Sequence, residues 1–286
     1  MKVALPEFPS WYVNLLGTLL VSGVLGWLWL LKFDDAGRQR LRKDIAWLQW
    51  RPLPANFWKV FLLLLGAGMV LQSLGFSILV AFLGPQGVHT LVQHLVGITS
   101  MHVLITAGIV RHSRRERIPL AEVPALSAGG GGKAAVAGGV AYVLALPLVT
   151  LSVVLTQALF PIFDLPINPQ DIMLTLPAYD RPWMWGALVF MVVFLGPFCE
   201  EVVFRGYVLP WCTQHLGFGL GLVVHSLFFA AIHMNAAAML PLFALSCVLG
   251  LVYIHQKNLL AAFWLHAVFN GMTLAGFFLG NGGLAP

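Results

Sequence analysis

The 286-residue chain is 59% hydrophobic and 9% charged, with a net charge of +5 and a mean hydropathy of +0.86. Soluble domains carry about 25% charged residues, and a soluble core has little use for ten Trp and twenty Phe. Three Cys, an odd number, exclude a disulfide scaffold, and the apolar content excludes a disordered chain. What remains is an all-α polytopic membrane protein, a helical bundle.

A bilayer core of about 30 Å needs roughly 20 apolar residues per helix. Apolar runs predict eight transmembrane helices, at about 11–31, 59–83, 89–110, 134–160, 183–208, 217–234, 237–255 and 258–280. The first follows a single Lys2, has no A-x-A site and is succeeded by Lys32 and an arginine cluster, so it reads as an uncleaved anchor. The stretch Arg38–Trp50 after it reads either as an interfacial amphipathic helix, with Trp47 and Trp50 at the headgroups, or as a solvated loop. Gly129–Gly132 reads as a flexible linker before the fourth span. Only Met234–Ala236 separates the sixth span from the seventh. No internal repeat is visible, and residues 1–286 read as a single integral membrane domain.

The basic residues collect in two loops. Lys32, Arg38, Arg40, Arg42, Lys43 and Arg51 follow the first span, and Arg111, Arg114, Arg115, Arg117 and Lys133 follow the third. The loop Gly84–Gly87 between them carries no charge. The positive-inside rule makes the basic loops cytoplasmic and puts both termini outside. Asp164, Asp171 and Asp180 against one Arg181 in the loop 161–182 fit the outer side, and Lys257 fits the inner side. The positive charge is thus a signal of insertion, and no nucleic-acid partner is expected.

A census of ionisable groups by location is sharper. Nine of the eleven acidic residues fall in termini or loops, whereas Glu200 and Glu201 are adjacent within the fifth span. Of sixteen basic residues, only Arg205 lies well inside a span. A charge at the bilayer centre costs at least about 2.5–3.5 kcal/mol, so three within six residues must pair or do work. Glu201 and Arg205 stand at i and i+4 with Glu N-terminal, the favourable orientation for a helical ion pair. Glu200 is rotated by about 100° and points toward another helix. Its candidate partners are His225 and His233 on span six and His266 and Asn270 on span eight, the last two sharing one helix face. His225 reads as a helix–helix hydrogen-bonder. Phe229, one turn before His233, can pack beneath its ring. Two imidazoles, an amide and a spare carboxylate are the inventory of a hydrolytic site. His89, His94, His102, His112, His215 and His255 carry no assignment.

These residues resemble the CPBP family, the type II CAAX prenyl endopeptidases and bacteriocin-processing proteins, which are glutamic-type intramembrane proteases. The family pattern E-E-x-x-x-R is read here as Glu200 to Arg205, F-x-x-x-H as Phe229 to His233, and H-x-x-x-N as His266 to Asn270. All three occur in order within seventy-one residues, and the likeness covers about 183–280 as CPBP-like catalytic helices. It implies a membrane endopeptidase in which Glu200 and His233 activate water, His266 and Asn270 form the oxyanion hole, and Glu201, Arg205 and Phe229 support them. It implies a peptide or protein substrate in or at the lipid bilayer: a C-terminal sorting tag, a leader or a CAAX-like tail, with tag processing favoured over prenyl-CAAX cleavage. Short loops and charge bias resemble a bacterial inner-membrane protein.

Two rival readings remain. Two Glu and two His can hold a metal, but H-E-x-x-H and Glu-x-x-His spacings are missing and adjacent Glu residues cannot both face one ion; no metal or cofactor is expected. A membrane transporter or non-catalytic scaffold can also use a buried Glu/Arg/His network, yet the polar groups are confined to spans five to eight. Cys199, Cys212 and Cys247 read as small packing residues. Depth is the loose end. From the cytoplasmic helix ends, Glu200 and His266 lie about 12 Å in, but His233 about 21 Å. Agreement requires the fifth helix to run past Leu209 or the sixth to start later; the 12 Å count has the site opening toward the cytoplasmic half.

Overall fold

A computed structural model describes residues 8–30, 35–49, 56–83, 90–116, 130–167 and 182–280. The expectations for Trp50, Arg51, the loop Gly84–Gly87, Arg117 and most of 161–182 lie outside those residues. In chain order the helices are α1 (Ser10–Leu30), α2 (Asp35–Gln49), α3 (Phe57–Leu83), α4 (Thr90–Arg115) and α5 (Gly131–Leu159). They continue with α6 (Pro182–Val189), α7 (Gly196–Val203), α8 (Leu209–Leu216), α9 (Phe218–Ala231), α10 (Ala236–Gln256) and α11 (Leu259–Gly280). Among the described residues there is no strand, and six helices are long and apolar enough to cross a membrane. Of the eight predicted spans, the other two are helical but atypical. The 26-residue α4 is the most polar of them, and the 14-residue α9 is about 21 Å long.

The fifth span continues past its predicted end. α6, α7 and α8 are joined by two π-helical turns, Phe190–Leu195 and Phe204–Val208, into one helix running to Leu216. Prolines explain where the register changes: Pro197 and Pro210 begin α7 and α8 and lack the amide that an α-helical ladder needs there. At 35 residues, 182–216, the helix measures about 52 Å and cannot cross a 30 Å core upright. Gly217 ends it at φ 75°, a backbone that other residues rarely adopt.

This length removes the mismatch in depth between Glu200 and His233. Glu200 is sixteen residues from Leu216 and His233 fifteen from Phe218, about 24 and 22 Å along their helices. Glu200 therefore stands near the helix midpoint, and His233 in the turn at the far end of α9 from Gly217. The 12 Å count for Glu200 rested on the shorter helix, whereas His266 stays seven residues from Leu259, about 10 Å along α11.

One expectation is corrected and one alternative is resolved. Gly131 and Gly132 lie in the first turn of α5 and not in a linker. α2 is a helix, but it docks on the bundle: Leu48 is fully buried and Trp47 packs edge-on against Tyr253 at 5.7 Å. Asp44 meets His255 Nδ1 and Lys257 Nζ, each at 3.2 Å. Ion pairs and a buried leucine hold this helix to the bundle.

The core lies between α5, α10 and α11 and the 182–216 helix, with α3 held to the latter by an aromatic stack. Phe57 lies 4.5 Å from Tyr207 and 5.6 Å from Trp211. α5 approaches α11 closely because Gly138 has no side chain. A Cβ there would come within 2.6 Å of Trp264 Cβ and 2.8 Å of the Ala261 carbonyl. Small residues at such crossings let membrane helices meet backbone to backbone. Gly138→Leu should cost at least about 1–3 kcal/mol from overpacking. It should lower the thermal unfolding midpoint in detergent, whereas Gly139→Ala, which meets nothing within 4 Å, should leave it near wild type.

Candidate active site

The deepest polar feature is the pair expected from the i, i+4 spacing. Arg205 Nη1 donates to Glu201 Oε1 at 2.9 Å, and both side chains are 0% exposed. Arg205 Nη2 reaches across to α10, donating to Ser246 Oγ at 3.0 Å and to the Ser246 carbonyl at 3.3 Å. The guanidinium also lies over the Phe229 ring, 4.6 Å from its centroid. One cation thus joins the 182–216 helix, α9 and α10. His266 of α11 completes the network, its Nδ1 2.9 Å from the same Glu201 Oε1.

Glu200 turns away from its neighbour, as a rotation of about 100° per residue requires. Its Oε2 is 4.0 Å from His233 Nε2 and 3.9 Å from His266 Nε2. The tautomers follow from the other ring nitrogens. His233 Nδ1 lies 2.8 Å from the Phe229 carbonyl, which can only accept, so Nδ1 carries the proton. His266 Nδ1 donates in the same way to the Glu201 carboxylate. Both rings therefore turn Nε2 toward Glu200 Oε2, and in the neutral form that nitrogen carries the lone pair. Phe229 organises both rings, at centroid distances of 4.9 Å from His233 and 5.9 Å from His266. It is fully buried and does more than pack beneath His233.

Glu200 and His266 come together from two helices with His233 from the turn after α9. Asn270 is engaged differently: its Nδ2 donates to the Val192 carbonyl at 2.8 Å. Val192 lies in the first π-helical turn, where Gly196 N–H bonds to the Met191 carbonyl five residues back. The next amide in that register would serve Val192, but it belongs to Pro197 and has no hydrogen. The π turn and the proline leave one carbonyl free, and Asn270 satisfies it. His225 is fully buried, edge-on to Phe204 at 5.9 Å and away from the Glu200 group. The three cysteines are free, Cys199 and Cys212 being buried.

One close neighbour had no assignment from the sequence. His102 of α4 places Nε2 3.3 Å from Glu200 Oε1. No short motif contains it, but α4 is the most polar of the predicted spans, and Thr99, His102 and Thr106 fall at i, i+3 and i+7, on one face. Thr99 Oγ1 approaches Met191 Sδ at 3.8 Å, so that face meets the 182–216 helix.

Residues 182–272 match the family model described as type II CAAX prenyl endopeptidase Rce1-like. That segment holds all three motifs, and the match agrees with the family they resemble. No curated protein and no solved structure matches the chain. The apolar helices support an integral membrane protein, and the matched segment is similar to a family of CAAX-type membrane endopeptidases.

Removing Arg205 leaves the Glu201 carboxylate buried without its cation and held only by His266, a loss of about 3–5 kcal/mol. Arg205→Ala should sharply lower the yield and unfolding temperature of purified protein. Arg205→Lys should recover only part of both, since a single ammonium cannot reproduce the planar fork spanning Glu201 and Ser246.

Proposed function

We propose that the protein is a glutamic-type intramembrane peptidase in which Glu200 is the general base. The observation that carries this reading is the convergence of Glu200 Oε2 with His233 Nε2 and His266 Nε2 at 4.0 and 3.9 Å. That spacing is too long for direct hydrogen bonds, but a water about 2.8 Å from each acceptor fits between them. Two protons of one water can point at Glu200 Oε2 and His233 Nε2, which orients an oxygen lone pair toward a substrate carbonyl. As the water oxygen bonds to the carbonyl carbon, its proton passes to Glu200. Collapse of the tetrahedral intermediate breaks the C–N bond, and Glu200 returns the proton to the leaving amine.

The oxyanion needs donors. Asn270 has a second amide N–H beyond the one held by Val192. His266, held at Nδ1 by Glu201, turns Nε2 toward the same space and donates to the oxyanion when that nitrogen carries a proton. Each such donor is worth about 3–4 kcal/mol in other proteases. Glu201, Arg205 and Phe229 hold His266 and His233 in place. The substrate is a peptide bond near the membrane surface, in a C-terminal sorting tag, leader or CAAX-like tail, with tag processing preferred. The site of action is the bacterial inner membrane.

Comparing membrane and exported peptide termini in the native host with wild-type protein and with Glu200→Gln tests this reading. Termini present only with the wild type are expected, the variant losing at least about 100-fold of the rate while inserting normally. His233→Ala and His266→Ala should behave likewise. Identical termini, with the variant folded and abundant, would move the assignment to a transporter or scaffold. Chelators should leave the cleavage rate unchanged; inhibition reversed by zinc would replace the metal-free mechanism.

A further inference from the structure

We infer that His102 is a positioning residue of the same site, so that α4, outside the family-matched segment, is part of its machinery; this rests on the proposed role of Glu200. A carboxylate on a flexible side chain has to be held if one oxygen is to face the reacting water. Glu200 Oε2 faces His233 and His266, and the orientation of the group is then set by what holds Oε1. That contact is His102 Nε2, at 3.3 Å. A carboxylate oxygen accepts, so His102 donates, and Nε2 carries the proton.

The surroundings strengthen this bond. His102 and Glu200 face a small cavity of about 50 Å³, walled by apolar groups including Phe61, Leu65, Ile105 and Phe204. Few other polar groups compete for Glu200 in such a wall, and low local polarity raises the strength of a charge-assisted hydrogen bond. α4 is itself fixed by packing on α3, where Gly108 lets Leu64 in and Gly68 meets Met101. His102 is therefore carried by a supported helix rather than a loop. Its cost, a polar face on a membrane helix, is one the chain has no reason to bear for packing alone.

The test uses full-length protein carrying His102→Phe, which fills the space without a donor, and His102→Gln, which keeps an N–H donor. Both are compared with wild type and Glu200→Gln for the rate at which Glu200-dependent termini appear in membranes, and for unfolding temperature. His102→Phe should slow cleavage by roughly 10–100-fold, the usual effect of losing an orienting hydrogen bond behind a reacting group. His102→Gln should stay within a few-fold of wild type, with unfolding temperatures unchanged. Equal slowing by both variants, or slowing that follows lost stability, would overturn the inference, as would full activity of His102→Phe. Nitrogen NMR of labelled imidazoles separates this result from failure of the proposed reaction. If no termini depend on Glu200, a His102 resonance that moves in Glu200→Gln still supports the contact, and one that stays fixed overturns it.

Discussion

A guanidinium with no exposure to solvent is the constraint around which the rest is arranged. Arg205 is 0% exposed in the middle of an apolar bundle, and it is tolerable only because both terminal nitrogens and the ring-facing side are engaged. Glu201 neutralises it, Ser246 accepts two of its hydrogen bonds, and the Phe229 ring covers it. These partners come from separate helices, so satisfying one charge fixes the mutual positions of the 182–216 helix, α9 and α10. Glu201 then has a free share to offer His266, which brings in α11. Such a network is strong evidence of arrangement and weak evidence of stability, because desolvation offsets much of the Coulombic gain. Its value lies in holding the group next to it.

That neighbour is Glu200. Two consecutive glutamates on one helix face different directions, and the division of labour follows from the rotation alone: Glu201 is turned toward the arginine, Glu200 toward the histidines. Phe229 links the two halves, touching Arg205 with its ring face, His233 with its carbonyl and ring, and His266 with its edge. A phenylalanine at that position is therefore part of the electrostatics as well as the packing.

Backbone irregularity is concentrated on the same helix. Both π-helical turns flank α7, the segment that holds Glu200 and Glu201, and each precedes a proline. The first releases the Val192 carbonyl that Asn270 takes up, so a local defect in the fifth span fixes the register of α11 beside it. Such turns are frequent at functional sites. Here the reason is visible, since the same proline that interrupts the ladder supplies the free acceptor.

Much of this was legible in the sequence because it is local. Hydropathy placed the helices, since a bilayer leaves little choice about which runs cross it. The spacing of Glu201 and Arg205, of Phe229 and His233, and of His266 and Asn270 each reports one turn of helix, a geometry that the chain dictates by itself. What depended on the fold was everything carried between helices. Asn270 bonds to a carbonyl seventy-eight residues away, α2 docks through Asp44 on a turn it reaches only in the folded bundle, and the fifth helix outruns its predicted end because prolines shift its register without stopping it. His102 lies ninety-eight residues from Glu200 and belongs to no short pattern. Periodicity along one helix is a property of the sequence; which face of which helix it meets is decided only when all the helices pack.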